Sequence, residues 1–165
     1  MAKWRVGDGC ERYINMLYGI EKETDKIIGR AIYPGAKIVT DQIAKNIKSI
    51  PVNNSSYKEY YSGGKKVNGL TQFQRAGLIE GLGIAKMQNN FGYVNVKVGE
   101  DGYNSTITNE YRKGQPNAMI ARALESGTSF RNKNPVFSKG VATTRARAEM
   151  AMAIELEKQI ALKMK

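Results

Sequence analysis

The sequence predicts an α+β fold: N-terminal helices and a long C-terminal helix packed on a small antiparallel β-sheet, with a projecting loop. Three observations predict it. Apolar residues recur at helical spacing toward both ends of the chain, the middle switches to a period of two, and clusters of Asn, Ser and Gly separate the periodic stretches. A chain of 165 residues fits one ordinary domain, 1–165, and its 41% hydrophobic and 25% charged residues suit a folded interior.

From Gly9 to about Ile50 the spacing is helical, with Tyr13, Ile14, Leu17 and Tyr18 on one stripe and Ile27, Ile28, Ala31 and Ile32 on the next. Two helices or one broken helix fit this, because Pro34-Gly35 interrupts the pattern: proline removes an amide donor and crowds the preceding turn. Val39, Ile43, Ile47 and Ile50 continue it, and Pro51 is the expected stop. Residues 51–70 then gather Asn, Ser and Gly around Tyr57, Tyr60 and Tyr61, which reads as a long loop or arm. Tyrosines can fill a partner's pockets while keeping a polar end wet, so these three, with Lys65 and Lys66, are candidate partner contacts; a merely flexible loop is the alternative.

Thr71-Gln-Phe-Gln74 has the form of a capping box, and a short helix is expected from there to about Glu80, ended by Gly81 and Gly83. A hairpin follows, with Asn89-Asn90-Phe91-Gly92 turning the chain between Ile84–Met87 and the alternating Tyr93–Val98. Glu100-Asp101-Gly102 reads as a second, exposed turn, with its carboxylates unperturbed, and Ser105–Tyr111 as a third strand. Ala118–Ser126 is a short helix closed by Gly127, or a strand; the pattern leaves both open. From about Gly140 onward Ala148, Met152, Leu156 and Ile160 stand four apart, giving a helix with one buried stripe that is expected to lie across the sheet. Phe130 and Phe137 are the expected core anchors of that helix.

With no histidine and a single cysteine, Cys10, the chain cannot assemble the usual transition-metal ligand sets or a histidine-activated nucleophile. No Gly-x-x-x-x-Gly-Lys-Ser/Thr loop occurs either, so no catalytic, cofactor or metal residue is expected. No apolar run is long enough to span a membrane and the first residues lack a secretory pattern, so a cytoplasmic site of synthesis is expected. The net charge of +11 favours polyanions or acidic protein faces as neighbours, unless the lysines simply cover the surface. That charge and nine tyrosines allow loose contact with DNA, but no recognisable reader module is present.

The most specific stretch is Ala123-Leu-Glu-Ser-Gly-Thr-Ser-Phe130, followed by Arg131 and then Pro135-Val-Phe137 ahead of the closing helix. Together with Leu82-Gly83-Ile84, Val96-Lys97-Val98-Gly99 and Gly102-Tyr103-Asn104, in this order over roughly residues 10 to 160, it resembles the head-to-tail joining (neck, tail-completion or minor tail) proteins of tailed bacteriophages. The resemblance implies a non-enzymatic virion protein, assembled in the host cytoplasm as a closed homo-oligomeric ring, expected to be a hexamer. Its implied neighbours are the head-closure or connector proteins and the tail terminator or tail tube. Glu125 is expected to anchor its turn through Arg122 or Arg131, or across a subunit boundary, and all three are candidate contacts; a purely local pin is the plainer alternative. A basic cytoplasmic nucleic-acid-binding protein is the alternative function.

Overall fold

The computed structural model describes residues 8–53, 66–90 and 93–164, with side chains from Leu17 onward. The side chains of Tyr13 and Ile14 in the first stripe, the hairpin tip Phe91-Gly92 and the tyrosines of the loop fall outside what is described. The chain runs α1 (Asp8–Ser49), α2 (Gln72–Gly81), β1 (Leu82–Ile84), β2 (Gln88–Asn90), β3 (Tyr93–Asn95), β4 (Val98–Glu100), β5 (Tyr103–Asn104), β6 (Gln115–Pro116), α3 (Asn117–Ser126) and α4 (Val136–Lys163). The fold is α+β and mostly helical, with a long helix at each end and two-stranded antiparallel sheets between.

Where the sequence suggests two helices or a broken one, α1 is continuous over 42 residues with Pro34 inside it. A proline at such a position costs about 3 kcal/mol of local stability, and the packing of α4 along α1 outweighs it. The two helices run antiparallel. Lys163 pairs with Glu23, Arg30 Nη1 donates to Gln159 Oε1 at 3.1 Å, and Asn46 Nδ2 donates to the Val136 carbonyl at 3.0 Å. Glycines permit the close approach: a Cβ on Gly35 would lie 2.6 Å from Met152 Cγ, and one on Gly140 would lie 2.7 Å from Ile43 Cγ1. The closing helix therefore lies along α1 and not across a sheet, and it begins at Val136, a turn earlier than expected. Its four-residue stripe does turn inward, with Ala148 buried and Met152, Leu156 and Ile160 half-buried.

The expected antiparallel pairing forms, but with other bounds and as two successive ladders: Asn89 and Asn90, expected in the turn, lie in β2, and the second arm breaks at Val96 and Lys97. Leu82 faces Glu100 and Ile84 faces Val98 in the first, and Gln88 faces Asn95 and Asn90 faces Tyr93 in the second. It is tied to α1, since the Tyr33 hydroxyl accepts from Met87 N at 3.1 Å. The expected third strand, Ser105–Tyr111, is not formed; Tyr103–Asn104 pairs instead with Gln115–Pro116 as a separate ladder. Side-chain bonds account for the difference: Thr106 N donates to Asn104 Oδ1 at 2.9 Å and Tyr111 N to Thr108 Oγ1 at 3.1 Å, which holds the stretch in turns.

The stretch 51–70 is only partly a loop. Val52 bridges Leu70 and Val67 bridges Arg131, with Leu70 only 1% and Val67 7% exposed. These residues carry the apolar side chains of the segment, and burying them fixes both ends of the loop to the core. That core lies where the C-terminal half of α1 meets α2, α3 and the start of α4, around Ile43, Ile47, Ile50, Leu78, Leu124 and Val136. Phe137 packs half-buried against it.

Candidate functional site: a buried amide network and an unpartnered carboxylate

Thr71 caps α2 as the sequence predicts: its hydroxyl accepts from Gln74 N at 3.2 Å while Gln74 Oε1 accepts from Thr71 N at 3.3 Å. The helix then carries Gly77 and Gly81 one turn apart, which leaves a smooth groove. A Cβ on Gly77 would lie 2.7 Å from Asn117 Oδ1, and one on Gly81 would lie 2.6 Å from Asn117 Nδ2. Gly81 is thus required for close approach as well as for ending the helix.

Amide side chains fill the groove. Asn117, the first residue of α3, donates from Nδ2 to the Gly77 and Asp101 carbonyls, at 2.8 Å each. Asn104 Nδ2 donates to the Gln115 carbonyl at 3.0 Å, and Gln74 Nε2 donates to Gln115 Oε1 at 2.8 Å. Arg131 completes the network, donating from Nη2 to Gln74 Oε1 at 3.1 Å and from Nη1 to the Gly69 carbonyl at 2.6 Å. None of these five side chains is more than 7% exposed. A buried network with its amide side chains bonded to one another and to the backbone fixes one relative placement of α2, β5, β6 and α3, because any other leaves amides without partners.

Glu100 breaks this pattern. It ends β4 beside the groove, with Oε2 3.2 Å from where a Cβ of Gly81 would stand. Both its carboxylate oxygens are shielded from solvent and have no hydrogen-bond partner among the described residues. Burial alone pushes its carboxyl up to about 8, so it is largely neutral near pH 7. The exposed, unperturbed turn carboxylate expected from Glu100-Asp101-Gly102 is therefore corrected for Glu100. Pairing with Leu82 carries it back against the α2–α3 groove, which the local sequence does not register.

The candidate contact residues are dispersed. Tyr57, Tyr60, Tyr61 and Lys65 lie outside the described residues, and Lys66 is exposed next to the bridge at Val67. Arg122 is exposed on α3. Arg131, at 7% exposure, is an internal pin. Glu125 reaches across to the start of α4, where its two oxygens accept from Phe137 N and Ser138 N, each at 3.1 Å. It thus caps a helix that lacks a cap of its own, since Pro135 precedes it. Partial burial pushes the Glu125 carboxyl up, but the Ser138 and Phe137 bonds and the nearby Lys133 outweigh this, and the net shift is downward.

Gln74, Asn104, Gln115 and Asn117 are the site residues sequence reasoning passes over. Apart from the capping box, the only signal was the density of amides next to turns, which reads equally as solvated loop. Among the described residues no cluster of three or more acidic or thiol ligands could hold a metal ion, and no helix is long and apolar enough to cross a membrane. No family model, curated protein or solved structure matches the chain.

Proposed function

We propose that the chain is a structural subunit of a tailed-phage neck or tail-completion ring, joining the head connector to the tail without catalysis or cofactor. The observation that carries this reading is the second apolar set on the long helices. Met150 is 66% and Ile154 60% exposed, one turn apart on the side of α4 away from Ala148 and Met152. On α1, Leu17 and Tyr18 precede the Glu23–Lys163 pair and are also exposed. Exposed apolar pairs of this kind on helix faces support contact with other protein. The order of segments that resembles neck and tail-completion proteins names the kind of assembly.

The test is the paired substitution Met150→Glu with Ile154→Glu. Because both side chains are exposed, melting of the isolated subunit should move by less than about 0.5 kcal/mol equivalent, while the assembled species should be lost from a sedimentation profile. An unchanged profile would remove the supporting observation. The second reading, a basic nucleic-acid-binding protein, draws on one feature: Arg30, Tyr33 and Lys37 line a shallow groove beside Pro34. Duplex binding that falls steeply with salt and is weakened by Arg30→Glu would favour it.

A further inference from the structure

We propose that the cavity between α3 and the two turns flanking it binds an organic carboxylate that carries an aromatic group. The site is separate from the ring reading, which draws on the outer faces of α1 and α4. The cavity has a volume of about 600 Å³, a size that suits a small ligand. One face of α3 forms its apolar wall, since Met119, Ile120 and Ala123 recur there at helical spacing. Tyr111, on the turn before the helix, and Phe130, on the turn after it, add two rings to that wall.

The walls are in place before any ligand arrives. On one side Thr108 N donates to the Tyr111 carbonyl at 3.2 Å, and Tyr111 N donates back to Thr108 Oγ1 at 3.1 Å. On the other, Thr128 N donates to the Arg131 carbonyl and Arg131 N to Thr128 Oγ1, at 3.0 Å each. Gln74 and Gln115, bonded to each other in the buried network, also line the cavity. A site whose groups are already held by bonds of their own loses little conformational freedom when it fills.

Two guanidiniums decide the charge of the occupant. Arg131, at 7% exposure, is fixed against the cavity by its bonds to the Gly69 carbonyl and Gln74 Oε1. Arg122 reaches the same cavity from α3 and forms no ion pair among the described residues. Glu110 is the acid in the lining and is exposed, so solvent and salt screen it more than they screen the buried charge of Arg131. A carboxylate matches the planar fork of arginine with two parallel bonds, while the rings and aliphatic side chains of the wall take an aromatic body. A bare inorganic anion would use the guanidiniums and leave that wall empty.

The test follows the methyl signals of Met119 and Ile120 by NMR in the full chain during titration with four probes. These are indole-3-acetate, its neutral amide indole-3-acetamide, inorganic phosphate, and the dipeptide glycyl-tryptophan with a free terminal carboxylate. Saturable shifts are expected with the two carboxylates, with binding of the amide at least tenfold weaker and no saturation by phosphate at the same concentrations. Whichever carboxylate binds more tightly identifies the source, a free acid or the end of another polypeptide. Ala123→Phe, which fills the cavity, should abolish the shifts, and Arg122→Gln should weaken both carboxylates at least tenfold while leaving the amide unchanged. Melting curves report whether each variant folds, and Arg122→Gln, altered at an exposed side chain, keeps the test decisive if the filled variant does not. Neither carboxylate saturating the signals at millimolar concentration would overturn the site. Acid and amide binding alike, or Arg122→Gln binding the carboxylates as wild type does, would overturn it equally.

Discussion

Asn117 and Glu100 flank Gly81 on the same groove and meet opposite fates. Asn117 arrives with two carbonyls waiting for its amide, at 2.8 Å each, whereas the Glu100 oxygens have no hydrogen-bond partner among the described residues. Asn117→Ala would leave those carbonyls facing a void, and an unmade buried bond costs about 1–3 kcal/mol; denaturant unfolding of the subunit should show a loss of that order. For Glu100 the consequence is a pH dependence. Burial raises it to about 8 from the ordinary 4.5, so between those values the folded chain holds a proton that the unfolded chain releases. The contribution is fully present below the unfolded value and is lost as pH rises through the folded one. Melting of the isolated subunit should therefore fall between about pH 4.5 and pH 8 and level off above that, and Glu100→Gln should flatten the slope; parallel curves would refute the assignment. None of this is visible at residues 100–102, where acid, acid and glycine in succession describe a solvated turn. The burial comes from β1, α2 and α3, three elements that local patterning treats separately.

At the scale of elements, the locally determined features are legible in the sequence. The α2 capping box depends on four consecutive residues and forms as expected, and the hairpin follows from period-two alternation closed by Asn and Gly. Gly127 ends α3 with a φ of 74°, the left-handed conformation that glycine adopts without strain. Features decided by tertiary packing are not legible. Pro34 reads as a break until α4 is laid along α1, and Ser105–Tyr111 reads as a strand until its side-chain bonds are seen. The start of α4 belongs with these, since its cap comes from Glu125 on another helix. Glu125→Gln keeps an acceptor there but removes its charge, and should cost roughly 0.5–1 kcal/mol in denaturant unfolding. Because the Glu125 carboxyl is shifted downward, its contribution is present above the unfolded value and is lost as pH falls through the folded one. The deficit of the variant should therefore shrink in acid, and a deficit independent of pH would show that shape alone was lost.

For the whole molecule, the organising feature is an antiparallel pair of long helices with the amide network and hairpin attached around the C-terminal half of α1. The sequence supplies the class, helices at both ends with strands between, but it places the closing helix on the sheet. Four-residue spacing specifies a buried stripe without specifying what the stripe buries against, and here Gly35 and Gly140 supply the fit to α1. The same helices carry Met150, Ile154, Leu17 and Tyr18 outward, and the proposed ring reading rests on these side chains. Mass photometry of the purified full chain across a concentration series tests the ring reading most directly. A single closed species at a fixed multiple of the 18.3 kDa subunit mass, expected at the hexamer, is the predicted result. A monomer at every concentration, binding DNA with a steep salt dependence, would contradict it and favour the nucleic-acid reading.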